Sequence, residues 1–272
     1  GSIVKGASML TGYSSGNLKI GEVLYDKCIK FKNTPRKCSW KTSLGALNDI
    51  KALELSSNSY QFQVALKVAN VKYYDNMPVK IDEAPFKVYR SVFNSLGLGV
   101  KSGIDLPFET EGYKGKEYNA GLLLNYSIGQ YDTYSVMQLA SYVNTIINEG
   151  ERLKLNLVKE VKYATKDNSI GKTKSTYQKT VLNNSNIDNI YFKRVKEGFA
   201  SVMKGMLGRG YMGGSPDPAG KTGTSETFYD SDNDGVVDKE VINSTVAFYY
   251  PRESPRYSVV VVAPFLTDDG NF

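Results

Sequence analysis

Serine and lysine stand three residues apart at the start of the chain, in the stretch Ser2-Ile-Val-Lys5. At this spacing on a helix both side chains lie on one face, one turn apart. A helix N-terminus directs backbone N–H groups and the positive end of its dipole toward an oxyanion that forms there. A lysine that is partly desolvated and close to other cations loses its proton near neutral pH and can deprotonate a serine. The pattern alone is weak, because Ser2 could equally cap a helix and Lys5 could lie in solvent.

Histidine is absent from the sequence, and this restricts the chemistry. Every Ser-His-Asp or Cys-His mechanism and every histidine-ligated metal site is excluded. A hydrolytic or acyl-transfer enzyme with this sequence must take its general base from lysine, aspartate, glutamate or tyrosine. The pair Ser2 and Lys5 satisfies that condition.

Two further clusters combine hydroxyls with amide or amine groups. The triplet Ser56–Asn58 falls at a predicted turn between helices, where such residues also serve as plain caps. The stretch Lys221–Thr224 supplies a cation and two hydroxyls at the head of a predicted strand. Gly223 leaves room for a substrate along the strand edge. The alternative there is an ordinary edge strand protected by a lysine.

The letters GKT at 220–222 also resemble a phosphate-binding loop, but the register is wrong. That motif needs a glycine five positions before Gly220, where Ser215 stands. The residues after Lys221 are largely β-branched or aromatic and predict a strand, whereas a phosphate-binding lysine opens a helix. We therefore expect no nucleotide site here.

The composition is that of an ordinary globular protein of 272 residues, with 41% hydrophobic and 23% charged residues. The net charge is +6, but lysine and arginine form no dense block, so no nucleic-acid partner is expected. No run of about 18 apolar residues predicts a membrane span. Cys28 and Cys38 lie ten residues apart. Their spacing leaves open whether they form a disulfide, and they lack the partners of a zinc site.

The hydrophobic pattern predicts the elements that must position these groups, helices first and strands last. Helices are expected at 2–10, 48–55, 59–68, 84–99, 135–149 and 193–210. Ser135 is the expected N-cap of the fifth helix and Gly150 its end, while Gln130 and Asp132 before it are expected to be scaffold. Residues 102–113 and 163–189 are expected to be loop-rich. Antiparallel strands at 220–230, 242–251 and 257–265 complete an α+β fold, with a mainly helical part at 15–210 and late strands at 211–272.

Together, S-x-x-K at Ser2, S-x-N at Ser56 and K-T-G at Lys221 form the motif set of penicillin-binding proteins and serine β-lactamases. The resemblance runs the length of the chain, through the blocks GSIVKGASMLTGY, LELSSNSYQFQVALKVA, SGIDLPFETEG, SIGQYDTYSVMQLASYVNTIINEG and AGKTGTSETF. These blocks resemble, in their residues and in their order, the transpeptidase domain of a class B, monofunctional penicillin-binding protein of the Gram-positive elongation type. The resemblance implies the penicillin-binding and serine β-lactamase-like fold, an antiparallel sheet packed with helices plus a mainly helical subdomain. It also implies that residues 1–272 lack the family's first strands, first helix and C-terminal helix.

The resemblance gives each motif residue a role in acyl transfer. Ser2 is the expected nucleophile, Lys5 its base, and Ser56 the relay that passes a proton to the leaving amine. Backbone N–H groups of Ser2 and Thr224 are expected to form the oxyanion hole. The expected substrate-binding residues are Asn58, Lys221, Thr222, Gly223 and Thr224.

The implied reaction is serine-type D-Ala-D-Ala transpeptidation of peptidoglycan stem peptides, with no cofactor. β-Lactams mimic D-Ala-D-Ala and trap the acyl-enzyme. The alternatives are a D,D-carboxypeptidase or β-lactamase, in which water deacylates Ser2 readily, and a non-catalytic β-lactam sensor or scaffold. The resemblance further implies a glycan polymerase as partner and a location at the extracytoplasmic face of the bacterial membrane, through an N-terminal anchor outside this chain.

One acidic stretch, DSDNDGVVD, resembles the first half of a calcium loop. Val241 stands where the full loop needs a bidentate glutamate, so that pattern is incomplete. A structural calcium site and a plain acidic hairpin tip both remain open. The candidate ligands are Asp230, Asp232, Asp234 and Asp238.

Overall fold

The computed structural model describes residues 1–167, 169–209, 217–232 and 234–267. A 3₁₀ turn, Ser2–Val4, leads into the helices, which are α1 Lys5–Ser14, α2 Asp49–Glu54, α3 Asn58–Val68, α4 Ala84–Ser95, α5 Ala120–Ser127, α6 Val136–Ile147, α7 Asn189–Lys204 and α8 Met206–Arg209. The strands are β1 Leu24–Asp26, β2 Gly45–Leu47, β3 Glu151–Leu153, β4 Glu160–Lys162, β5 Thr173–Thr176, β6 Val181–Asn184, β7 Ala219–Tyr229, β8 Lys239–Tyr250 and β9 Tyr257–Leu266. No helix in these ranges is long and apolar enough to cross a membrane.

Helix α1 lies at the centre of the core. Every residue from Lys5 to Tyr13 is buried, and the helix packs against α3, α4 and α7. Its glycines allow this close approach, since a Cβ on Gly6 would lie 2.6 Å from the ring of Phe199 on α7. A helix enclosed on all sides cannot shift easily, because interiors are close-packed. The core therefore fixes the position of the turn that carries Ser2.

The sheet formed by β7, β8 and β9, in that order, is antiparallel, as the sequence predicts. Strand β7 packs against α7 and against the 3₁₀ turn at Ser2–Val4. One close approach is at Gly223, where a Cβ would lie 3.0 Å from the backbone nitrogen of Ile3 and 3.1 Å from that of Ser2. Glycine is needed there because any side chain would push the strand away from the turn.

Several short elements were not predicted from the sequence. β1 pairs with β2, β3 with β6 and β4 with β5, each antiparallel. Strands β5 and β6 fall within 163–189, which was expected to be loop-rich. They are four residues long and mostly exposed, so no alternating hydrophobic pattern marks them. Helix α5, which Asn119 caps through its side chain, also escaped the prediction.

The predicted helices are present, with shifted ends. The first begins as a 3₁₀ turn and continues to Ser14. Ser135 caps α6 in a capping box with Gln138. The last predicted helix starts earlier than expected, at Asn189, because Asp188 caps it. Its predicted end at Gly210 and the predicted boundary between 210 and 211 lie outside the described residues.

Candidate active site

The three sequence motifs meet at one cleft of about 550 Å³. Ser2 begins the 3₁₀ turn before α1, Ser56 lies at the turn before α3, and Asn58 is the first residue of α3. These residues and Thr222–Thr224 on β7 all line this cleft. In the part of the chain that the structure describes, the Ser2 hydroxyl makes no hydrogen bond. It is therefore free to meet a bound substrate.

Two buried lysines lie behind the cleft and converge on Ser56. The Lys5 Nζ donates to the Ser56 carbonyl (2.7 Å) and to Asn58 Oδ1 (2.6 Å), and lies 3.1 Å from Ser56 Oγ. The Lys221 Nζ donates to Ser56 Oγ (3.0 Å) and to the carbonyl of Thr222 (2.8 Å). The side chains of α1 and β7 are thus joined through one hydroxyl group.

Burial lowers the pKa of both lysines, because the charged ammonium loses its hydration. The pKa of Lys221 falls to about 7. The pKa of Lys5 falls well below its usual value, through burial first and then through the neighbouring charge of Lys221, while Asp26 acts in the opposite direction. A neutral amine has two hydrogens and one lone pair. The two carbonyl oxygens facing Lys5 take both hydrogens, which leaves the lone pair to accept a proton from a serine hydroxyl.

The turn that carries Ser56 has an unusual backbone. Ser56 has φ 51°, in the left-handed backbone region that residues other than Gly, Asn and Asp rarely adopt. Ser57 follows as the N-cap of α3, and its Oγ accepts from the backbone N–H of Tyr60 (2.9 Å). The turn between helices that the sequence predicts is therefore present, and it directs both Ser56 and Asn58 toward Lys5.

A model of the penicillin-binding protein transpeptidase domain matches residues 1–268. The chain belongs to this family. Lys221 lies in an extended strand, so the alternative of a phosphate-binding loop is excluded by the fold as well as by the register.

Individual relatives agree with this assignment. The chain is 38% identical to penicillin-binding protein 2A of Bacillus subtilis over 273 residues, which cover 100% of the chain and 38% of that protein. It is 34% identical to penicillin-binding protein 2B of Streptococcus pneumoniae over 279 residues, 98% of the chain and 40% of the relative. The solved structure of penicillin-binding protein 2B from S. pneumoniae strain R6 superposes with a TM-score of 0.88 at 33% identity, over 98% of the chain and 44% of that structure. The chain thus spans less than half the length of these transpeptidase relatives.

The cleft of this transpeptidase domain also contains residues that the sequence did not single out. Cys28 and Cys38 form a disulfide, which settles the question that their spacing left open. Cys38 and the two residues that follow it line the cleft. The indole nitrogen of Trp40 donates to the carbonyl of Leu55 (2.9 Å) and fixes the ring at the rim. Only the cysteine pair could have drawn attention to this segment.

The loop after α5 contributes one residue to the cleft and anchors itself with another. Gln130, which the sequence places in the scaffold, lines the cleft. Asp132 is held by Arg90 (2.8 Å) and accepts from the backbone N–H of Gly115 (2.9 Å), so it has the loop role that the sequence indicates. The interpretation of Gln130 as scaffold misses that its loop borders the Ser2 turn.

At the tip between β7 and β8, three of the four acidic residues come together. Carboxylate oxygens of Asp230, Asp232 and Asp238 lie within 4.8 Å of one another. Oδ1 of Asp230 is buried and has no hydrogen-bond partner among the described residues. Asp234 is outside this cluster, and its carboxylate accepts from the N–H of Val236 (2.7 Å).

Proposed function

We propose that this chain is the catalytic domain of a peptidoglycan D,D-transpeptidase that works through an acyl-enzyme on Ser2. The observation that carries the proposal is the convergence of Lys5 and Lys221 on the hydroxyl of Ser56 beside a cleft that Ser2 lines. Membership of the transpeptidase family supports it, as does the name penicillin-binding protein that its relatives bear.

In the first step the Ser2 oxygen attacks the carbonyl carbon of the penultimate D-Ala, and its proton passes to the lone pair of neutral Lys5. The oxyanion that forms lies near the backbone N–H groups of Ser2 and Thr224, which the close approach at Gly223 brings together. The peptide C–N bond then breaks. The proton moves from Lys5 through Ser56 to the leaving amine, so that D-Ala departs as a neutral amine.

In the second step an amine from a neighbouring stem peptide attacks the ester. Lys5 accepts the proton of that amine and returns it to Ser2 as the C–O bond breaks. The new amide bond is the crosslink, and the free serine is regenerated. Atoms and charges balance over the two steps, with no group required beyond the side chains named.

Substrate binding follows from the same geometry. In the described part of the sheet β7 is an edge strand, so an extended peptide can lie along it. Lys221, Thr222 and Thr224 would bind the terminal carboxylate of the peptide. The Nδ2 of Asn58 makes only a long contact, 3.4 Å to the carbonyl of Cys38, and is available to donate to the peptide backbone.

The wider setting rests on the sequence resemblance. A role in cell elongation, a glycan polymerase as partner and an N-terminal membrane anchor are proposals on that ground. The competing functions differ in the fate of the acyl group. A carboxypeptidase or β-lactamase releases it to water quickly, a β-lactam sensor holds it without forming a crosslink, and a scaffold is never acylated.

We expect the purified protein to form a long-lived adduct with benzylpenicillin, of one drug mass per chain, in an intact-mass time course. A slow deacylation is expected because the transpeptidase must hold the acyl group until an amine arrives. Rapid loss of the adduct would indicate a β-lactamase or carboxypeptidase. A folded protein without an adduct would contradict the enzymatic proposal and favour the scaffold.

We propose in addition a structural calcium ion at the tip between β7 and β8, supported by the unpartnered Oδ1 of Asp230 within the carboxylate cluster. Sites of this kind bind calcium in the range of about 0.1–1 mM. Calcium at about ten times the dissociation constant should stabilise the fold by about 1.4 kcal/mol, a rise in Tm of about 3 °C.

Differential scanning fluorimetry in calcium, magnesium and chelator measures this stabilisation. Asp230→Asn should abolish the rise in Tm, whereas Asp234→Asn should retain it because Asp234 lies outside the cluster. Magnesium should have little effect, since it demands a tighter octahedral site. The same Tm in calcium and in chelator would refute the site and leave a plain acidic hairpin tip.

A further inference from the structure

Asp26 is a buried carboxylate that the mechanism does not use. It ends β1 and is 1% exposed. The other two buried aspartates of the described residues each have an arginine, since Asp49 pairs with Arg194 and Asp132 with Arg90. No lysine or arginine in the described ranges pairs with Asp26. A buried charge without a cationic partner needs several hydrogen-bond donors. One donor to Asp26 is the backbone N–H of Leu44 (3.3 Å), and the two side-chain donors lead to the active site.

Two serine hydroxyls connect Asp26 to the start of α3. Oδ2 of Asp26 accepts from Ser39 Oγ (2.7 Å) and from Ser57 Oγ. Each hydroxyl has one proton, so both donate to the carboxylate and direct their lone pairs elsewhere. Ser39 Oγ accepts from the N–H groups of Asn58 and Ser59, both at 3.1 Å. The carboxylate thus orients the two hydroxyls that hold the first turn of α3.

This turn is the one that must hold Ser56 in its left-handed conformation. Such a backbone persists only where surrounding contacts fix it. Held in this way, the Ser56 carbonyl and Asn58 Oδ1 lie 2.7 and 2.6 Å from Lys5 Nζ. If the turn relaxed, Lys5 would lose both acceptors and the lone pair would no longer face a hydroxyl.

The disulfide fastens the two segments that carry the network. Cys28 lies two residues after Asp26, and Cys38 immediately precedes Ser39. The backbone of the second segment is held further by Ser43 Oγ, which donates to the carbonyl of Asp26 (2.7 Å). The side chains of Asp26 and Ser39 are therefore held in contact although 13 residues separate them.

We propose that Asp26 is a positioning residue for acylation, which acts through Ser39 and Ser57 to hold Ser56 and Asn58 against Lys5. The inference rests on the proposed function, because it concerns the same acylation step. It adds a group that touches neither the substrate nor Ser2.

The charge of Asp26 has a predictable effect on the pH dependence of acylation. The titratable groups around Lys5 are Lys221 from β7, Asp26 from β1, the Gly1 amino group and the Tyr142 hydroxyl from α6. Of these, Asp26 favours the charged form of Lys5. Removing its charge therefore lowers the pKa of Lys5, and neutral Lys5 then persists to lower pH.

The test is the rate of acylation by a fluorescent penicillin, measured across the neutral pH range for Asp26→Asn and the unsubstituted protein. Asparagine offers the two hydroxyls a neutral oxygen in place of a charged one, and its amide NH2 then faces the backbone N–H of Leu44, which donates to Oδ1 of Asp26. The turn therefore loosens, and the alkaline plateau should fall roughly 10- to 100-fold. The acid limb of the profile should move to lower pH, because the carboxylate that favours charged Lys5 is gone. Circular dichroism verifies that the variant is folded.

Two further variants separate the effect of a loosened turn on the plateau from the effect of the lost charge on the acid limb. Ser39→Ala keeps the charge of Asp26 but leaves the N–H groups of Asn58 and Ser59 without an acceptor, so the plateau should fall with no shift of the acid limb. Asp49→Asn removes an equally buried carboxylate away from the cleft and should lower stability with neither kinetic effect. Unchanged plateaus in Asp26→Asn and Ser39→Ala, or equal changes in Asp49→Asn, would overturn the inference. If the unsubstituted protein formed no adduct, the proposed function would fail first, and this inference with it.

Discussion

Ser2→Ala is expected to abolish the penicillin adduct completely while the protein stays folded. The reaction requires an oxygen on this side chain, which lies one turn from the amine of Lys5. Ser56, the nearest alternative, has its Oγ between Lys5 and Lys221. Intact-mass measurement after incubation with benzylpenicillin gives the result directly.

The fold should tolerate this change, because the Ser2 hydroxyl forms no hydrogen bond within the described residues and its loss leaves no buried group unpaired. Ser14→Ala is the matched control, since Ser14 ends the same helix, is exposed and should be acylated normally at Ser2. An adduct of full stoichiometry on Ser2→Ala would show that another residue is the nucleophile, and the mechanism above would be wrong.

The candidate site residues can be proposed from the sequence because their spacing is local or their motif is known. Ser2 and Lys5 lie one helical turn apart, and the break between two amphipathic helices marks the turn at Ser56–Asn58. The late strands can also be predicted from the sequence, since β8 and β9 are rich in β-branched and aromatic residues. That Lys221 meets Ser56 across 165 residues follows from the family resemblance, since no spacing rule could give a contact so remote in the chain.

The groups that support the site could not be predicted from the sequence, because their contacts also join positions far apart in the chain. Asp26, Ser39 and Ser57 join in space through hydroxyl contacts that span 13 and 31 residues, and each alone looks like an ordinary polar residue of a loop or cap. Gln130 reaches the cleft only because its loop borders the turn at Ser2. The short strand pairs likewise depend on which segments meet, since strands of three or four residues are too short to carry a periodic signal.

Lys5→Met is expected to lower the acylation rate roughly 10³-fold without unfolding the protein. General-base catalysis by a positioned side chain contributes about 10²- to 10⁴-fold, and methionine can accept no proton. The acid limb that Lys5 imposes on the pH profile of acylation should disappear along with the base. Stopped-flow or quenched-gel kinetics with a fluorescent penicillin measure both effects.

The free energy of unfolding of Lys5→Met should change far less than its acylation rate. Removing the amine leaves two acceptors, Ser56 O and Asn58 Oδ1, without this donor, at a cost of about 1–3 kcal/mol each. A buried methionine side chain gains about 1.5–3 kcal/mol from its apolar surface and offsets much of that cost. Lys37→Met is the matched control, because Lys37 is also desolvated and donates to an asparagine Oδ1, that of Asn125 (2.8 Å). If Lys5→Met retained the full acylation rate, or if Lys37→Met lost as much, the base would have to lie elsewhere, and without histidine Lys221 would be the remaining amine at Ser56.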